Sequence, residues 1–191
     1  MMDLLKALHD LEEVELQMAE LYGWFTELYQ DDEEAVSLFN HLRLEELSHQ
    51  SILKYEGRIV RANPRSFRDM NFNLDMLDRT LESIRNFRQA NPRPSLEEAL
   101  KMALVFEGGA AELYYFTIFK DTAWDFAQFV TKLHAASRGH FEILQKFAAR
   151  RKIALPPGVL SPDASQPSIP SSAPPGPSAF TAGAADHRKR A

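Results

Sequence analysis

Four stretches of this 191-residue chain carry apolar residues at helical spacing, and carboxylate or imidazole side chains interrupt each of these apolar stripes: Glu15, Glu46, His49, Glu107 and His140. A buried carboxylate without a partner is strongly unfavourable, and several carboxylates that face one another also repel. A bound divalent cation removes both penalties, and carboxylate together with imidazole suits iron, manganese or zinc. The pattern therefore predicts a metal site inside a helical core.

The spacing within the second stripe supports this prediction. Glu46 and His49 are three residues apart, so a helix places both side chains on one face. Taken alone, such a pair is weak evidence, because a single glutamate on an apolar stripe often extends to water and a lone buried histidine is often a core residue. Since Glu15, Glu107 and His140 lie in register with the pair, we interpret the five residues as one metal site.

The polar groups of the four stripes are predicted to lie at one depth. With a rise of about 1.5 Å per residue, Glu15 and the midpoint of the Glu-x-x-His pair lie about 24 and 25 Å from the turn that joins the first two helices. Glu107 lies about 21 Å from the turn that joins the last two, and Ser137 and His140 lie about 24 to 28 Å from it. All four stripes can thus contribute to one layer.

Five helices are predicted to position these residues, on the evidence of apolar periodicity and of capping residues. Their expected extents are residues 3–30, Asp31 to Asn63, Leu74 to Asn91, Ser95 to about Lys120, and Asp121 to about Arg151. The third of these is shorter and is interpreted as a crossover between two helical hairpins. The predicted fold is therefore all-α, a four-helix bundle with one helical crossover.

The two predicted hairpins resemble each other in sequence. Residues 19–22, Ala-Glu-Leu-Tyr, recur as residues 111–114, and the same offset of 92 relates Glu15 to Glu107. Because this repeat is in register with the apolar stripes, internal duplication explains it better than chance.

Composition and charge exclude other classes of function. Without cysteine the chain has no disulfides, no cysteine-ligated zinc or iron–sulfur cluster and no thiol nucleophile, so nitrogen and oxygen must hold any metal. The net charge of −6 over residues 1–155 would repel nucleic acid. Two glutamates interrupt the most apolar window, residues 102–119, and the start of the chain lacks an export signal. We therefore expect a cytoplasmic protein without a membrane span.

The last 36 residues differ from the rest of the chain. Eight of the eleven prolines lie in residues 156–191, among serine, alanine and glycine. Such a composition predicts a disordered tail that follows a folded domain of residues 1–155. The tail is interpreted either as inert or as a docking peptide with a basic end.

The residues around the ligand candidates form a pattern that covers about residues 3–150. It comprises Glu15 with Tyr22 seven positions later, Glu45-Glu46-Leu47-Ser48-His49, the run Ala99-Leu100-Lys101-Met102-Ala103 that leads to Glu107 and Tyr114, and His140. This pattern resembles the rubrerythrin-like branch of the ferritin-like superfamily. The resemblance implies a ferritin-like four-helix bundle that holds two irons.

The resemblance also implies a role for each ligand candidate. Glu15 and Glu107 would be terminal ligands, and Glu46 would be a bridging carboxylate. His49 and His140 would each supply one imidazole to one metal.

The chain departs from the family pattern at Ser137. The family has a glutamate three residues before the last histidine, so the second bridging carboxylate is missing here, and solvent or an exogenous anion would fill the vacancy. A carboxylate that some members carry one turn after the third-helix ligand is also missing, because Ala110 occupies that position. A single iron, an unequal pair, manganese or zinc are therefore alternatives to two irons.

Other side chains are predicted to surround the ligands. Tyr22 and Tyr114 lie two turns beyond the terminal carboxylates, so they either pack in the core or hydrogen-bond a ligand across the bundle, and Ser137 joins this outer group. The apolar side chains of Tyr115, Phe116 and Phe119 predict a cover, either the crossover helix or the interface of a homodimer.

On this resemblance we expect a non-haem iron protein that reacts with peroxide or dioxygen, as ferroxidase or peroxide-scavenging relatives do. Because the chain lacks the cysteines of a rubredoxin module, it would need an external electron donor. One alternative is a non-catalytic, degenerate bundle that stores or senses metal or serves as a scaffold. Another is cargo of a protein shell, with the tail as its address label.

Overall fold

Helices make up the regular structure of the described chain. The structure is a computed structural model that describes residues 2–64, 74–108 and 124–155. The helices in these ranges are α1 (Met2–Leu28), α2 (Glu33–Ala62), α3 (Asp75–Ala90), α4 (Leu96–Glu107) and α5 (Trp124–Arg150). No strand occurs in these ranges, which confirms the predicted all-α class for this part of the chain.

A tight turn makes α1 and α2 antiparallel neighbours. The Asp32 carboxylate caps α2 by accepting a hydrogen bond from the Ala35 backbone N–H, 3.1 Å away. Near this turn the rings of Phe25 and Phe39 lie 5.0 Å apart, and far from it Lys54 pairs with Glu12 at 3.5 Å. These two contacts show that α1 and α2 run in opposite directions.

The α3 helix packs on the outside of α1. The Phe87 ring lies 6.5 Å from the Trp24 ring and 6.2 Å from the Phe25 ring, both in edge-to-face arrangements. The predicted short third helix is therefore present, and it covers the α1 face that carries Trp24.

The start of α4 agrees with the sequence prediction. Ser95 and Glu98 form a capping box, in which the Glu98 carboxylate accepts from the Ser95 backbone N–H at 2.8 Å. The described part of this helix ends at Glu107, and the predicted continuation to about Lys120 lies outside the described residues. Gly108 is its C-cap, where glycine favours a helix end and where an added Cβ would lie 2.9 Å from Phe141 Cε2.

The α5 helix lies antiparallel to α2. Arg151, just after α5, forms an ion pair with Asp32 at the start of α2 and lies 3.4 Å from Glu34. His140, in the middle of α5, contacts the middle of α2. The centre of the molecule is thereby bounded by α1, α2, α4 and α5, with fully buried apolar side chains on either side of it: Leu4, Leu11, Tyr22, Phe25, Phe39, Leu42, Leu53, Leu100, Leu144 and Phe147.

Among the described helices, none has both the length and the apolar character that crossing a bilayer requires. The predicted remainder of the third long helix, the apolar cover of Tyr115, Phe116 and Phe119, and the predicted tail of residues 156–191 lie outside the described residues.

Candidate metal centre

Side chains from four helices meet inside the apolar core. α1 contributes Glu15, α2 contributes Glu46 and His49, α4 contributes Glu107, and α5 contributes His140. Each of the five is at most 7% exposed. The structure thus brings together all five ligand candidates of the sequence analysis, and it does so where water has little access.

The first half of this cluster lies between α1 and α2. His49 Nδ1 lies 3.0 Å from Glu46 Oε2 and 3.5 Å from Glu15 Oε2. One ligand atom from each of the three residues lies within 4.8 Å of the other two. Two carboxylates and one imidazole are therefore arranged so that they can hold one cation.

The second half lies between α2, α4 and α5. His140 Nδ1 lies 3.1 Å from Glu46 Oε1 and 3.3 Å from Glu107 Oε2. These three residues also place ligand atoms within 4.8 Å of one another. The second half thus repeats the composition of the first, two carboxylates and one imidazole.

Glu46 belongs to both halves. Its Oε2 atom faces Nδ1 of His49, and its Oε1 atom faces Nδ1 of His140. The two imidazole rings are stacked, with centroids 5.4 Å apart and an interplanar angle of 26°. One carboxylate group therefore lies between two imidazole nitrogens and offers a separate oxygen to each side.

Tyr22 holds one of the carboxylates in place. Its hydroxyl donates a hydrogen bond to Glu107 Oε1 at 2.5 Å, while the other oxygen of Glu107 faces His140. Tyr114, its predicted counterpart, lies outside the described residues. Ser137 lies on α5, but its side chain also falls outside the described part of the structure.

Tyr22→Phe is expected to lower the free energy of unfolding by about 1.5–3 kcal/mol, because it removes a buried hydrogen bond to a charged acceptor. Tyr29→Phe is a matched control, since the Tyr29 hydroxyl donates to the uncharged backbone oxygen of Pro94 at 2.8 Å and should contribute only about 0.5–1.5 kcal/mol. Denaturant unfolding of both variants measures the difference. Equal losses would contradict a special role for the Tyr22–Glu107 bond.

Sequence analysis missed Glu45 as a member of the site. Glu45 Oε2 lies 2.6 Å from His140 Nε2, while the Glu45 side chain remains 42% exposed. Glu45 is about 100° around the helix from Glu46, off the inward stripe, so apolar periodicity did not select it. Its only signal was its place in the Glu-Glu-x-x-His segment.

The metal-free cluster retains protons. Burial and the neighbouring carboxylates of Glu15 and Glu107 raise the pKa of Glu46 well above its ordinary value. Burial by itself lowers the pKa of His49, but hydrogen bonds and charge interactions with Glu15 and Glu46 outweigh burial and raise it to about 10. Similarly, Glu107 and Glu46 outweigh the burial of His140 and raise its pKa to about 12.

Without a cation, the site lacks a positive charge that offsets its carboxylates directly. Three buried carboxylates repel one another, and in the metal-free protein positive charge on the two imidazoles offsets that repulsion. A divalent cation offsets it more directly, because it binds the same oxygens while the imidazoles bind it in their neutral form. The donor set therefore fits a metal ion such as iron, manganese or zinc.

One histidine and one glutamate outside the apolar stripes, His41 and Glu20, lie at the surface. The His41 side chain is 51% exposed, and Glu20 is exposed and lies 3.7 Å from Arg88.

Comparisons with protein-family models, with curated proteins and with solved structures gave no match for this chain.

Proposed function

We propose that this protein is a non-haem iron protein of the rubrerythrin-like, ferritin-like type, which acts on peroxide or dioxygen as a ferroxidase or a peroxide scavenger. The observation that carries the proposal is the burial of three carboxylates and two imidazoles from four helices within ligating distance of one another. Inward-facing glutamates with Glu-x-x-His are how helical bundles build such centres. In this proposal α1, α2, α4 and α5 are the four bundle helices, and α3 belongs to the crossover.

The proposed ligands divide between two metal positions. Glu15 and His49 would hold one iron, and Glu107 and His140 would hold the other. Glu46 is shared, because its two oxygens already face the two imidazole nitrogens. Each position would receive two carboxylates and one imidazole from the protein.

The protein supplies binding, orientation and exclusion of water. Two ferrous ions held by these residues would supply the two electrons needed to reduce hydrogen peroxide, with two protons, to two water molecules. The apolar core keeps bulk water away from the site, and Tyr22 holds Glu107 through its hydroxyl. Since the chain contains no cysteine for a rubredoxin-type centre, the reaction would require a separate electron donor.

Loading the full chain with ferrous iron without oxygen, followed by addition of hydrogen peroxide, tests the proposal. We expect two irons per chain and loss of about one equivalent of peroxide per two ferrous ions oxidised. The matched control is Glu15→Leu combined with Glu107→Leu, which removes one ligand from each metal position and should abolish both binding and peroxide loss. Peroxide loss at the same rate in the control would place the reaction outside this cluster.

Ser137 favours a second candidate function, a protein that binds metal without catalysis. Because the second bridging carboxylate is missing from the sequence, the centre has one shared carboxylate instead of two. A bundle of this kind would store or sense metal or act as a scaffold. Elemental analysis of protein from its native host distinguishes the two, since one zinc per chain without peroxide turnover would support the second candidate.

A further inference from the structure

Both ring nitrogens of His140 contact carboxylates of α2. Nδ1 lies 3.1 Å from Glu46 Oε1, and Nε2 lies 2.6 Å from Glu45 Oε2. Glu45 and Glu46 are consecutive, so two adjacent residues of α2 contact the two nitrogens of the imidazole. The ring itself is only 1% exposed, whereas Glu45 reaches the surface.

The contact with Glu45 determines which nitrogen carries the proton. A neutral imidazole that binds a cation through one nitrogen keeps its proton on the other, and the hydrogen bond made by that other nitrogen selects the tautomer. A carboxylate at 2.6 Å can only accept here, so it favours a proton on Nε2. The lone pair of Nδ1 then points toward Glu46 and Glu107.

We propose that Glu45 is a positioning residue that orients His140 and sets its tautomer for metal binding through Nδ1. This inference rests on the proposed metal site and assigns Glu45 a role that is not ligation. The two halves of the centre are therefore unequal. His140 follows His49 by 91 positions, and the residue 91 positions after Glu45 is Ala136. Alanine has no carboxylate, so Ala136 cannot do for His49 what Glu45 does for His140.

Zinc titration against a chromophoric chelator tests this role without any turnover. Wild type is expected to bind two zinc ions, and Glu45→Ala should bind one of them about 10- to 100-fold more weakly, the usual effect of losing the hydrogen-bond partner of a ligating histidine. Glu45→Gln should lose less, because its amide oxygen can still accept from Nε2–H. Glu82→Ala is the matched control, since it removes one exposed carboxylate on α3.

A Glu15→Ala background assigns the weakened position. This variant should keep only the zinc on the His140 side, and adding Glu45→Ala should weaken that remaining zinc by the same factor. If Glu45→Ala instead weakens the zinc on the His49 side, which Glu15→Ala removes, and leaves the zinc on the His140 side unchanged, then Glu45 does not act through His140.

Nitrogen NMR of the imidazoles gives a readout that a general loss of stability would not produce. In zinc-loaded wild type, His140 should carry its proton on Nε2 and zinc on Nδ1, and in Glu45→Ala the Nε2 proton should exchange faster with water. Zinc on Nε2 in wild type would overturn the inference. So would zinc affinities of Glu45→Ala equal to those of Glu82→Ala, although the proposed metal site would then stand. A wild-type chain that binds no zinc, iron or manganese would overturn the metal site itself.

Discussion

Glu46→Leu is expected to abolish binding of both metal ions, whereas Glu15→Leu and Glu107→Leu should each abolish one. The reason is geometric, because Glu46, alone among the five ligand candidates that the structure describes, has oxygens near the Nδ1 atoms of both histidines. Leucine has a similar volume and fits the apolar surroundings, but it cannot bind a cation. Elemental analysis after anaerobic ferrous loading measures the stoichiometry, with zero, one and one iron per chain expected in the three variants.

Glu82→Leu is the control for this series, since it places the same substitution on an exposed position of α3. It should retain the wild-type stoichiometry. One iron remaining in Glu46→Leu would show that the two halves do not share this carboxylate. Unchanged stoichiometry in all three variants would rule out the assigned ligands.

Raising the pH is expected to destabilise the metal-free protein. The pKa values of His49 and His140, about 10 and about 12, lie above 6.5, so both imidazoles bind protons more tightly in the folded chain than in the unfolded chain. Their contribution to the free energy of unfolding is complete below pH 6.5 and is lost as the pH rises toward these folded-state values. Glu46 acts in the same direction, since its pKa is also raised.

Thermal melting of chelator-treated protein at pH 6.5 and pH 9 measures this effect. We expect the melting temperature to fall by at least about 4 °C, because each loss of about 1 kcal/mol lowers it by about 2–4 °C in a chain of this size. Metal-loaded protein should show a smaller fall, because a bound cation replaces the protons. The control is His49→Gln with His140→Gln, in which most of the pH dependence should vanish. A metal-free wild type that is equally stable at both pH values would contradict the proton-rich cluster.

Local sequence information was sufficient for the helices and for the five buried ligand candidates. Helical periodicity depends on residues three and four positions apart, so a carboxylate or imidazole on an apolar stripe is visible without knowledge of the fold. The predicted start at Ser95 is confirmed, and the predicted start at Asp31 lies one residue before the observed N-cap, Asp32. The closeness of Gly108 to Phe141 on α5, where an added Cβ would lie 2.9 Å from Cε2, is a contact between distant segments that local patterns do not reveal.

By itself, the sequence determined which residue types face the core and at what depth along each helix, because both follow from the geometry of a single helix. Only the tertiary structure decided how these residues pair: that one oxygen of Glu46 faces each histidine, that Tyr22 holds Glu107, and that Glu45 reaches His140 from outside its own stripe. Such pairings depend on the rotation and separation of neighbouring helices, which many distant packing contacts set together.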